Sequence, residues 1–201
     1  MVSSPSTSAP TESPITAGQH APRRTHRRAL AALVVTVTAA FACWIALGVT
    51  FYVNPATEAV PSSADVIYVI GPPTEERIAL AQKLRGDGVA RDILISVPKT
   101  GEQSADNLDI CQGDHVSCLH PEPFTTAGEI RLLNSLYGAD ATAVVITFTP
   151  HISRTRYIAE DCSPMDVTVI AAPSRLSPIA WAYQFAYQTG GFAKAFAQSC
   201  R

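Results

Sequence analysis

A histidine and an arginine three residues apart, His151 and Arg154, are the side chains of this chain best placed to do chemistry together. They follow Val144, Val145 and Ile146, a short apolar run of the kind that forms a buried strand. Thr149 reads as a helix N-cap and Pro150 as the first helical position, where proline forfeits no hydrogen bond. Beyond them, three- and four-residue spacing brings His151, Arg154 and Tyr157 with Ile158 near one helix face. A strand running straight into a helix thus holds a hydroxyl, an imidazole and a guanidinium at its mouth. Ligands of open α/β sheets sit at such strand ends, where helix N-termini present free N–H groups. The chemistry this suggests is capture of an anion by Arg154, with His151 as a general acid or base. A plainer reading makes His151 a first-turn histidine and the arginines solvated, with Glu160 at i+4 from Arg156.

The elements that would position these groups alternate from Asp65 to Cys200. DVIYVIG (65–71) is a buried strand by composition, and Pro72-Pro73 a rigid turn. Thr74 caps the next helix, which has Glu75 and Glu76 at its positive end and buries Ile78, Ala81 and Leu84. DILISVP (92–98) is a second strand, and residues 99–124 are a long loop. Thr126-Ala-Gly-Glu129 has the form of a capping box, opening a helix that runs through Leu136 to Gly138. After the strand and helix around His151, DVTVIAAP (166–173) is a fourth strand. A last helix from Pro178 carries Trp181, Tyr183, Phe185 and Tyr187, with a break expected at Gly190-Gly191. With crossovers of this length the fold class is α/β, a three-layer Rossmann-like domain with a mainly parallel sheet.

Ahead of that domain the chain has three unlike parts. Residues 1–28 are rich in Ser, Thr and Pro, have little to bury and read as a disordered tail. Residues 29–53 contain no charge and are long enough, as a helix, to cross a bilayer. Arg23, Arg24, Arg27 and Arg28 precede them, so the positive-inside rule puts the amino terminus in the cytoplasm and the rest outside. The run is long for a cleaved signal, and no good small-x-small site follows (Ser62-Ser63-Ala64 comes nearest). Residues 54–64 read as a Pro/Ser/Ala tether to an extracytoplasmic domain at 65–201, on the plasma membrane. Glu12 is the only acid before Asn54, which leaves sixteen acidic against eleven basic residues in the remainder. That balance speaks against a nucleic-acid partner.

Of five cysteines, Cys43 lies in the apolar run and four lie beyond it. An exported domain would oxidise them, and of the three pairings the reading taken is Cys111–Cys118 and Cys162–Cys200. CQGDHVSCLH also clusters Cys111, His115, Cys118 and His120, but at no common zinc spacing, and Asp106, Asp109 and Asp114 lack a calcium loop's pattern. No metal and no cofactor is expected. Nor is there a Gly-x-Ser-x-Gly elbow, a His-Glu-x-x-His helix or a Walker loop.

This order of parts resembles the YdcF-like family, the SanA/ElyC type of envelope protein. DVIYVIGPPTEERIALAQKLRGDGVARDILISVP follows the family's strand, glycine turn and helix with a downstream glycine. Thr125-Thr126-Ala-Gly-Glu129 matches its Thr-containing helix start, and Thr147-Phe-Thr-Pro-His151-Ile-Ser-Arg154 its Thr-Ser-x-x-His-x-x-Arg signature at threonine, histidine and arginine. Gly71-Pro-Pro stands in place of a glycine run, Thr125 in place of asparagine and Phe148 in place of serine. The resemblance implies a single amino-terminal anchor and a role in cell-envelope integrity, and members have been associated with S-adenosylmethionine. Together with the residue reading, it gives Gly71, Thr74, Thr126, Glu129, Thr147, Thr149, His151 and Arg154 as ligand-binding candidates. The function expected is binding of a small anionic, phosphate-bearing or lipid-linked ligand. The alternatives are a hydrolase of such a precursor, with His151 catalytic, and a non-catalytic scaffold.

Overall fold

The computed structural model describes residues 23–198 and Cys200. The disorder expected of residues 1–22 therefore lies outside the described residues. Residues 23–28, expected as part of that tail, instead begin the first helix, α1 (Arg23–Gly48). It continues as a π-helical turn, Val49–Val53. His26–Val53, 28 residues, is long and apolar enough to cross a membrane.

Five strands, β1 (Val66–Val69), β2 (Asp92–Ser96), β3 (Val116–Leu119), β4 (Thr142–Phe148) and β5 (Asp166–Ala172), form one sheet in the order β3-β2-β1-β4-β5. Every pairing is parallel, with Val66 opposite Asp92 on one side and Ala143 on the other. Helices α2 (Glu75–Gly86), α3 (Thr126–Tyr137) and α4 (Ile152–Cys162) make the crossovers. The strands alternate their side chains between two cores, as a pleated sheet must. Ile67, Val69, Ile93, Ile95 and Val144 pack with Ala81 and Leu84 of α2 on one face. Val66, Tyr68, Leu94 and Val145 pack with Leu133 of α3 and Ile152 of α4 on the other. The three-layer Rossmann-like reading holds.

Strand β3 is the element that sequence reading placed inside a loop. It is short and polar by turns, with Val116 and Cys118 turned in and Ser117 and Leu119 exposed, as an edge strand can be. Cys111 and Cys118 are disulfide-bonded, as are Cys162 and Cys200. His115 Nδ1 meets Asp92 at 2.9 Å and His120 Nδ1 the Val97 carbonyl at 2.9 Å.

Two further departures concern helix α5 and the tether. Helix α5 (Pro178–Ala197) is unbroken through Gly190-Gly191. Residues 54–64 are strapped down: Glu58 pairs with Arg156 and accepts the N–H of Val169 on edge strand β5 at 2.7 Å. Arg156 also donates to the Ala56 carbonyl at 3.0 Å. Its partner is thus Glu58, across the chain, rather than Glu160 one helical turn away.

Candidate anion site at the switch point

In the strand order above, the chain reverses direction between β1 and β4, the place where doubly wound sheets leave a crevice. A cavity of about 630 Å³ opens there. Its floor is Gly71 after β1 and His151 after β4; α3, α4 and α5 wall it with Thr126, Glu129, Arg154 and Tyr187.

His151 is buried and fixed at both ring nitrogens. Arg154 Nη2 lies 2.7 Å from Nε2, and Thr147 Oγ1 lies 3.0 Å from Nδ1. A guanidinium only donates, so Nε2 must accept and the proton must reside on Nδ1, donated to Thr147. Burial, then the charges of Arg154 and Arg77, hold the imidazole well below its ordinary pKa. His151 is therefore a neutral acceptor that aims Arg154. Thr126 Oγ1 stands 3.4 Å from the same Nε2.

Arg154 is itself buried, its Nε without a hydrogen-bond partner among the described residues. Its guanidinium lies 5.1 Å from the centre of the Tyr187 ring. A Cβ on Gly191 would fall 1.5 Å from Arg154 Nη1, which explains a glycine in mid-helix better than a break does. The solvated arginine of the plainer reading is not what forms.

Glu129 crosses the site, and Gly71 N–H donates to its Oε1 at 2.6 Å. Burial raises its pKa; the Ser96 hydroxyl, the Gly71 N–H and the charges of Arg77 and Arg154 pull the other way. The hydroxyls of Tyr68 and Ser96 lie near this carboxyl but form no hydrogen bond of good geometry. The expected capping box is displaced by one residue. Thr125 is the N-cap, its hydroxyl accepting the Gly128 N–H at 3.2 Å. Gly128 sits so close to the Pro123 carbonyl that a Cβ would be 1.9 Å from its oxygen. That contact sets the entry of α3, and it frees Glu129 from capping to reach Gly71.

Arg77, which does not line the cavity, is a buried cation beside it that sequence reading missed. It is buried, donates to the carbonyls of Ile70 at 3.0 Å and Pro72 at 2.8 Å, and lies 5.0 Å from the Phe148 ring centre. Burial lowers its pKa to about 10, against the opposing charges of Glu129 and Glu76, so it remains a cation at neutral pH. Its spacing from Ala81 and Leu84 put it on the buried face of α2, a signal the sequence carried. Tyr187 and Lys194 of α5, and Asp161 of α4, line the cavity unforeseen.

Three candidates fall elsewhere. Thr74 is at the N-cap position of α2 but does not line the cavity. Thr147 lies behind His151, as its support. Thr149 caps nothing: it opens a 3-10 turn, Thr149–His151, whose N-cap is Phe148, because Pro150 and His151 continue the tight turn before α4 begins. The helix N-terminus that faces the cavity is that of α3, through Thr125, Thr126 and Ala127. The first N–H groups of a helix have no acceptor within it. Asp161 stands beside Cys162 and Cys200, but both sulfurs are bonded to each other and Asp161 Oδ2 accepts the Cys200 N–H at 2.7 Å.

No family model, no curated protein and no solved structure matches this chain.

Among the described residues, the buried guanidiniums of Arg77 and Arg154 stand against one buried carboxyl, that of Glu129, which leaves a local surplus of positive charge. Such a surplus is costly unless a counter-ion joins it. An anion with several acceptor oxygens would meet both the Arg154 side chain and the open turn of α3 at the cavity wall.

Proposed function

We propose that this chain is a membrane-anchored, extracytoplasmic protein of YdcF-like type, which binds a small phosphate-bearing anion at the β1/β4 switch point in the service of cell-envelope maintenance. The observation that carries the reading is Arg154: buried, aimed by His151, and placed on the wall of a cavity that a helix N-terminus also lines. The two disulfides suggest an oxidising compartment, which fits an exported domain. Hydrolysis of the same ligand is the weaker reading. Both nitrogens of His151 are already engaged, and the ring must let go of Arg154 before Nε2 can take a proton from water.

Titration calorimetry on the full chain in lipid nanodiscs, with inorganic phosphate and pyrophosphate as probes, tests this. Arg154→Ala should weaken binding by about ten-fold or more, as loss of a charge-assisted pair does. Arg154→Lys should fall between, because a point charge replaces a planar fork. Equal affinity in wild type and Arg154→Ala would overturn the assignment.

A further inference from the structure

The span His26–Val53 is longer than a bilayer needs. At 1.5 Å per residue its 28 residues measure about 42 Å, against roughly 30 Å of hydrocarbon. The surplus, on the order of eight residues, must stand in an interfacial zone. Where the anchor meets the domain, its last turns are covered by α5. Trp44 Nε1 donates to Thr189 Oγ1 at 3.0 Å, and Tyr52 OH lies 3.2 Å from the same oxygen. Phe185 packs edge-on against both Trp44 and Tyr52, and Phe192 packs against Phe51 and Tyr52. A Cβ on Gly48 would sit 2.1 Å from the Phe185 ring, so the two helices touch backbone to ring.

The sense of this contact matters. Phe185 sits against Trp44 and Gly48, whereas Phe192 sits against Phe51, so the earlier residues of α5 meet the earlier residues of the anchor. The first turns of α5, before Phe185, therefore lie on the bilayer side of this contact. Those turns present bare apolar surface: Ile179 is 84% exposed and Tyr183 60%. No charged residue occurs between Arg175 and Lys194, and both ends of that stretch are cationic. Tyrosine and tryptophan flanked by lysine or arginine is the composition of a helix at headgroup level.

We infer that the amino-terminal half of α5 is a second membrane contact, an interfacial helix seated in the headgroup zone of the bilayer beside the anchor. The occupant of its exposed face is lipid, by continuity with the apolar span it packs on. Tyr187, Gly191 and Lys194 of the same helix line the cavity, so the mouth of that cavity stands at the level of lipid headgroups. The inference about α5 does not rest on what the cavity binds.

The test uses the full chain in phosphatidylcholine vesicles. Trp44 and Trp181 are its two tryptophans, so Trp44→Phe with Trp181→Phe gives a silent background. Into it go Ile179→Trp, Tyr183→Trp or, as a control on the exposed face of α3, Leu136→Trp. Tryptophan at 179 or 183 should lose about half its emission or more to a lipid nitroxide near the headgroup, and little to aqueous iodide. Tryptophan at 136 should show the reverse. Sites 179 and 183 behaving like 136 would sink the inference. Should the background fail to fold, the wild-type chain can be irradiated with a headgroup-zone photoactivatable lipid. Labelled peptides from 176–187 support the interfacial helix, and label confined to 26–53 refutes it.

Discussion

His151 shows how much one proton position decides. Because Arg154 can only donate, it selects the Nδ1–H tautomer and leaves the imidazole neutral. The pH consequence follows from linkage. The folded-state pKa of His151 lies well below the unfolded value of 6.5, so the unfolded chain takes up a proton that the native chain refuses. The stability His151 confers is complete above about pH 6.5 and is lost as the pH falls toward its folded value. Glu129 works with the opposite sign: its pKa is raised, so its contribution is present in acid and fades as pH rises through the folded value. His151→Gln removes the first effect and keeps the second. Thermal midpoints at pH 8 and pH 5 should therefore drop less in His151→Gln than in wild type. A parallel drop in the two proteins would mean that His151 titrates normally. At this scale the pair His151 and Arg154 was legible in the chain, because a three-residue interval on a helix fixes a shared face. The role of Glu129 was not, since its partner Gly71 is distant in sequence and only folding joins them.

At the scale of elements, glycine carries two meanings that sequence alone does not separate. Gly190 and Gly191 are adjacent in α5, and the pair reads as a break. In the folded chain Gly190 has nothing near its absent Cβ, while Gly191 makes room for Arg154. Gly190→Ala should then stabilise the protein by about 0.5–1 kcal/mol, the usual gain from alanine in a helix, and, although the residue lines the cavity, disturb phosphate binding far less than Gly191→Ala, since its Cβ would displace no neighbour. Gly191→Ala enjoys the same helical gain but must push Arg154 off His151, so binding should fall by about as much as in Arg154→Ala. Denaturant midpoints and phosphate titrations on the two variants check this. Loss of binding in both, or in neither, would contradict the close approach seen here. The same limit explains the other misses. Strand β3 alternates polar and apolar within a polar, cysteine-bearing stretch, so its edge pairing to β2 supplies what its four residues do not. The cap of α3 slipped from Thr126 to Thr125 because both are threonine, and the Pro123–Gly128 contact chose between them.

Across the whole molecule, the difference between sequence and structure is the join between anchor and domain. Residues 54–64 have the composition of a flexible linker, and composition was all there was to read. The fold uses them as a strap instead. Glu58 occupies the exposed edge of β5 by accepting from Val169, and it pairs with Arg156, which in turn holds the Ala56 carbonyl. Just before it, Ser153 of α4 donates to the Phe51 carbonyl at 2.7 Å. Pinned at both ends, residues 51–58 are held against α4 and the edge of β5. Glu58→Ala should release the strap without unfolding the sheet, since β5 keeps its whole register with β4. The loss is that of one part-buried ion pair and one backbone acceptor, about 1–2 kcal/mol of local opening free energy. An opening population larger by roughly 5- to 30-fold would appear as faster cleavage between residues 54 and 64 under limited proteolysis of the vesicle-bound chain. Equal cleavage rates in Glu58→Ala and wild type would show that Glu58 does not hold the strap closed.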